Sequence, residues 1–126
     1  MIQRAETTTD KNFIIISGSD KEKVDFFKFG PYLKLFETNP SLFTAKKYEI
    51  TSKITKESLN NFVKACTGEL FTLTIDNAYE FHLLCEEFGA QQLISLTNPF
   101  FKKNKTQILL KELEYKKANN QITDNT

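Results

Sequence analysis

Few residues of this chain carry nucleophilic or proton-transfer chemistry, so their spacing can be read directly. The single histidine, His82, stands three positions before Cys85. Cysteine–histidine catalysis needs the imidazole within hydrogen-bond reach of the thiol and a third group that orients the base. Helix positions i and i+3 are neighbours, so His82 and Cys85 lining a cleft form the enzymatic reading. Such pairs usually assemble from separate elements, however, and here both residues stand on one helical stretch, with Tyr79, Ala78 and Glu86 as the other near neighbours of His82. His82 is therefore expected to serve packing or a partner, and no catalytic residue is assigned. Cys66 and Cys85 both fall on apolar faces of helical patterns, where a free thiol behaves as a small hydrophobe; a disulfide joining the two helices is the alternative. One histidine and two isolated cysteines do not complete a tetrahedral zinc set without carboxylates. The four glycines, Gly18, Gly30, Gly68 and Gly89, lie too far apart for a phosphate-cradling loop. Glu86 and Glu87 are adjacent, and adjacent helical residues point about 100° apart. They do not face each other as an acid/base dyad, and the expectation is that they solvate an outer face. Neither metal nor cofactor is expected.

The chain has 126 residues, with 17 basic and 16 acidic side chains and a net charge of +1, a length that suits one domain. That balance provides no electrostatic footprint for nucleic acid or an anionic membrane. The run Phe100-Phe101-Lys102-Lys103-Asn104-Lys105 places aromatics beside cations, as a base-stacking patch would. With so little net charge it reads better as a hydrophobic anchor followed by a polar turn. No stretch approaches the roughly 18 apolar residues of a membrane span. Residues 1–11 are polar, unlike a signal peptide. The expectation is an intracellular protein, cytoplasmic or nuclear, with neither nucleic acid nor membrane as a partner.

The elements that would position these side chains follow from periodicity. Phe13, Ile14, Ile15 and Ile16 form a short β-branched run ahead of Ser17-Gly18-Ser19-Asp20, which predicts a strand buried on both faces. Residues 24–29 predict a second strand running into a helix. Pro31 fits a first helical turn, and Tyr32, Leu35 and Phe36 follow at helical spacing, ending before Asn39-Pro40. Tyr48, Glu49 and Ile50 alternate as a half-buried strand. Thr55 is a candidate N-cap for a helix bearing Leu59, Phe62, Val63 and Cys66 on one face, stopped by Gly68. Phe71 and Leu73 predict one further short strand. Thr74 or Asp76 caps the next helix, whose stripe is Ala78, Phe81, Leu84, Cys85 and Phe88, closed by Gly89. Residues 90–96 predict a brief helix stopped at Asn98-Pro99, and Thr106 caps a last one carrying Ile108, Leu109, Leu110 and Leu113. The fold class is α+β, with three or four strands against about five or six helices. Residues 1–11 are read as a flexible lead-in, 12–97 as the domain, 98–118 as a helical extension and 119–126 as a disordered tail.

This order of strand, strand, helix pair, strand and consecutive helices resembles the BTB/POZ domain, the fold shared with the elongin C adaptor. Four pieces carry the resemblance. Phe13 to Ser17 with Gly18 is similar to the family's first strand and hairpin. Gly30-Pro31-Tyr32-Leu33-Lys34-Leu35-Phe36 is similar to its S-P-Y-F-R-x-M-F helix, and Tyr48-Glu49-Ile50 to its third strand. Thr67-Gly68-Glu69-Leu70 together with Phe88-Gly89-Ala90 is similar to its Y-T-G-x-L and L-G-A signatures. The coverage runs from about residue 12 to residue 96.

The resemblance implies a stand-alone, divergent interaction module, adapter-like in use, that pairs with itself or with another domain of the same kind. It places the dimer face on the first strand and first helices, at Phe26, Phe27, Phe29, Tyr32 and Leu33. The family's alternative use is as a ubiquitin-ligase adaptor that binds a cullin. Members that do so often carry a hydrophobic-x-Glu motif in the segment matching residues 38–47, and here that segment contains no acid.

Overall fold

A computed structural model describes residues 12–31 and 33–119. The architecture is α+β: a three-stranded mixed sheet and, among the described residues, seven helices. The sequence-based expectations for residues 1–11, for Tyr32 and for residues 120–126 fall outside the described residues. Strands β1 (Phe13–Ser17) and β2 (Asp20–Val24) form an antiparallel hairpin with Phe13 opposite Val24. Gly18 turns the chain there at φ +61°, a left-handed conformation that costs glycine little. Helices α1 (Phe26–Phe29), α2 (Lys34–Thr38) and α3 (Ser41–Ala45) are each about one turn long. They return the chain so that β3 (Lys47–Glu49) lies parallel to β1, giving the order β2-β1-β3. Helices α4 (Lys56–Cys66), α5 (Ile75–Phe88), α6 (Gln91–Lys103) and α7 (Lys105–Ala118) follow.

Helix α5 is the element most others touch, packing against α2, α4, α6 and α7. Its start is determined by a reciprocal cap. The Asn77 amide N–H donates to the Thr74 hydroxyl at 3.2 Å, and the Thr74 N–H donates to the Asn77 carbonyl oxygen Oδ1 at 2.9 Å, which satisfies two otherwise orphaned donors. Its stripe of Ala78, Phe81, Leu84, Cys85 and Phe88 is buried. Together with Phe13, Ile15, Phe29, Leu59 and Phe62 it forms one continuous core. Each fully buried phenylalanine contributes about 2–3 kcal/mol through removal of apolar surface from water. The helix ends at Gly89, φ +69°, where a Cβ would stand 2.6 Å from Lys34 Cβ. The Gly89 carbonyl accepts from Lys34 N–H at 3.2 Å. Glycine is needed at this position both for the left-handed turn and for the close approach of α2.

Several elements depart from the sequence reading. Strand β1 buries Phe13 and Ile15 but leaves Ile14 and Ile16 partly exposed, so it is covered fully on one face only. The first helical turn after Pro31 begins at Lys34 rather than at the proline. Helix α3 was not expected; only Leu42 anchors its single turn inward, too little for a periodic signal. No strand forms at Phe71 and Leu73. The Asn61 side chain takes both backbone groups of Thr72, donating to its carbonyl at 2.7 Å and accepting from its N–H at 3.0 Å, so the segment has no need of a strand partner. Helix α6 continues through Pro99 to Lys103, so position 98, read as the start of an extension, lies inside it. A proline removes the bond to the carbonyl four residues earlier. Here Ser95, Leu96 and Pro99 are all exposed, and water can serve that carbonyl. Helix α7 starts after Asn104 rather than at Thr106, and of its apolar residues only Ile108 is buried.

The adjacent carboxylates also separate. Glu86 is exposed, but Glu87 is half-buried and clamps the loop between β3 and α4. It accepts from the Tyr48 hydroxyl at 2.6 Å, the Thr51 N–H at 2.8 Å, the Ser52 N–H at 3.2 Å and the Ser52 hydroxyl at 2.8 Å. Burial alone would push this carboxyl up, yet the Tyr48, Thr51 and Ser52 donors hold it below its ordinary value of 4.5. Burial and the same bond push the Tyr48 hydroxyl up. A carboxyl lowered in the folded state adds stability above its unfolded value, and that stability is lost as pH falls through the folded one. Glu87→Gln is expected to lower unfolding free energy by about 1–2 kcal/mol at neutral pH, the weight of a partly screened charged acceptor. The deficit relative to wild type should shrink between neutral pH and an acid pH below the lowered folded value of this carboxyl, where the wild-type side chain is uncharged too. Urea denaturation at the two pH values checks this; a deficit that does not change with pH contradicts the clamp.

Candidate functional site

The hairpin delivers Asp25 and the first helices to one corner of the molecule. The Asp25 carboxylate accepts from Phe27 N–H at 3.0 Å, capping α1, and the Asn12 side chain accepts from Phe26 N–H at 3.0 Å. Two of the orphaned donors of this short helix are thereby satisfied, and consecutive phenylalanines are sent in different directions. Phe29 points into the core at 1 % exposure, whereas Phe27 is 68 % exposed. Phe26 lies between them, half-buried and central. Its ring centroid is 5.1 Å from that of Phe13, 4.9 Å from Phe36 and 5.0 Å from Phe43. These tilted and edge-on contacts suit aromatic quadrupoles. A Cβ at Gly30 would stand 2.9 Å from the Phe26 ring, so the seating of this ring depends on glycine.

The result is an aromatic ladder from the core to the surface. Phe43, 48 % exposed, closes its outer end 6.4 Å from Phe27. These rings, with Phe36, Pro31 and Pro40, line an open groove of about 630 Å³, within the range of ligand and peptide sites. Of the five residues expected to bind a partner, Phe26 and Phe27 line this groove. Leu33 borders it but is only 4 % exposed, and Phe29 belongs wholly to the core. Tyr32 is not among the described residues. The sequence reading missed Phe43, because nothing marked α3 as a helix that would bring it back onto α1.

The His82 and Cys85 side chains diverge. Cys85 lies in the core, while His82 faces outward, its Nε2 3.2 Å from Glu86 and its ring 5.5 Å from that of Phe101. Burial pushes the Cys85 thiol up to about 12, and burial, then the neighbouring Cys85, push Cys66 up as well. Both thiols are free. A thiol held protonated is a poor nucleophile, so this geometry provides no activated cysteine. Among the described residues no three His, Cys, Asp or Glu side chains cluster as metal ligands, and no helix is long and apolar enough to cross a membrane.

Compared with known proteins, the chain matches no family model, no curated protein and no solved structure.

The ladder separates residues that hold the fold from residues that face outward. Phe29→Ala is expected to cost about 3–5 kcal/mol through the cavity it leaves. Phe27→Ala should stay within about 0.5 kcal/mol of wild type, because little of the ring is buried. Chemical denaturation of the two variants checks the contrast, and equal losses would contradict the placement of Phe27.

Proposed function

We propose that this chain is a BTB/POZ-like protein-interaction module that pairs with a second copy of itself, or with a related domain, through the aromatic face of α1 and α3. The observation that carries this is the exposed pair Phe27 and Phe43 at the end of a ladder of rings. Large aromatics exposed in a concave, proline-bordered patch are unfavourable in water, and they are the residue type enriched at the centres of protein interfaces. The Phe43 ring already packs on Phe26 at 5.0 Å, which limits the side-chain freedom it loses on binding. The sequence resemblance supports the same reading, as does the element order of hairpin, short helices, returning strand and consecutive helices.

A two-fold pairing brings the same patch of each copy together. A stable interface removes about 800 Å² per partner from water, so the two rings act as anchors within a wider contact. Phe27→Asp combined with Phe43→Asp places a charge at each anchor without touching the core. Sedimentation velocity from about 1 to 100 μM, the range in which ordinary interfaces fill, is expected to show a dimer for the wild type and a monomer for the double variant. A wild type that remains monomeric throughout, or a double variant that still dimerises, contradicts the proposal.

A further inference from the structure

Helices α5, α6 and α7 enclose a second concavity, which shares no lining residue with the aromatic groove. Its volume is about 230 Å³. The apolar lining is Ile94, Phe101, Ile108 and Leu109, joined by the rings of Tyr79 and His82. The buried polar residue in that lining, Thr97, has its hydroxyl committed to the Leu93 carbonyl at 2.7 Å. Asn98, Lys105 and Glu112 add polar groups to the lining, and apolar cavities of roughly 150 Å³ accept benzene. Sites for larger organic ligands begin near about 300 Å³. The space therefore matches one ring with a short arm.

The mouth decides the charge of such a ligand. From Gly89 to Leu110 the sequence contains no Asp or Glu, while Lys102, Lys103 and Lys105 are all cationic. The rim carboxylate, Glu112, is held by Lys116 at 2.8 Å, and Glu86 lies 3.2 Å from His82. Lys105 is an exposed residue of the lining, and no ion pair engages it among the described residues. A largely apolar chamber lined by a cation that no ion pair engages among the described residues is complementary to an amphiphile with a single negative head.

We propose that this cavity binds a small aryl carboxylate, with the ring seated against Phe101 and Ile108 and the carboxylate at Lys105. The test is a two-dimensional amide NMR titration of the full chain with 3-phenylpropionate. Parallel titrations use its uncharged amide, N-acetylphenylalaninamide and acetate. Saturable shifts confined to residues of α5, α6 and α7 are expected, with a dissociation constant of about 1 mM, and the uncharged amide should bind about fivefold more weakly. Lys105→Ala should remove that preference and leave the amide's affinity unchanged. Leu109→Trp fills the mouth from a half-exposed position and should abolish binding while its spectrum stays folded. The absence of saturable shifts up to about 20 mM overturns the proposal. So does equal binding of acid and amide, or unaltered binding by a folded Leu109→Trp protein. Shifts with acetate alone at the same residues would reduce the site to a surface anion contact. Tighter binding of N-acetylphenylalaninamide than of the acid would assign the chamber to a peptide's aromatic side chain instead.

Discussion

The ring of Phe88 touches four separate elements. Its centroid lies 5.6 Å from that of Phe29 on α1, 6.2 Å from Phe36 on α2, 5.3 Å from Tyr48 on β3 and 5.2 Å from Phe62 on α4. The sheet, the short helices and the long helices therefore meet at one side chain near the end of α5. The residues on either side of it stabilise the same junction by different means. Glu87 ties down the loop after β3, and Gly89 allows α2 to approach within backbone contact. Close packing, a half-buried carboxylate and a left-handed glycine all act within three consecutive positions, so displacing Phe88 would disturb every layer of the molecule at once.

The placement of the outer aromatics follows from the same constraint. The core already holds Phe13, Phe29, Phe36, Phe62, Phe81 and Phe88, and α1 to α3 are too short to cover more. Phe26 bridges the core to the surface, and Phe27 and Phe43 remain in water at the end of the ladder. Packing on Phe26 thus holds the outermost rings beside one another while leaving much of each in water. The chamber between α5, α6 and α7 has a related origin. Helix α7 meets α5 through Tyr115, whose ring lies 5.2 Å from that of Tyr79, while Leu109 stays half-exposed beside the cavity, so the helices do not close fully.

Much of the scaffold was legible in the residues. Thr55, Gly68, Thr74 and Gly89 mark the ends of α4 and α5 because capping and positive φ depend on local chemistry. The stripe from Ala78 to Phe88 reports burial because a 3.6-residue period leaves no other arrangement for five apolar side chains. What escaped was set by distant partners. The extended segment at Phe71 and Leu73 pairs with the Asn61 side chain instead of a strand. Pro99 is tolerated where Ser95, whose carbonyl loses its helical donor, is itself exposed. Glu87 was read as a solvating residue, although its donors come from Tyr48, Thr51 and Ser52, more than thirty positions earlier in the chain. At the site, the aromatic run of α1 was visible, but which phenylalanine turns inward depends on the Asp25 cap and on Gly30. Phe43 had no periodic neighbour to announce it.

The most direct test of the interface assignment is hydrogen–deuterium exchange of the wild-type chain at low and high protein concentration. The account predicts that raising the concentration protects backbone amides of residues 25–46, around Phe27 and Phe43, while α7 exchanges at an unchanged rate. Concentration-dependent protection on α7 or on the β2 edge, with none at residues 25–46, would contradict it.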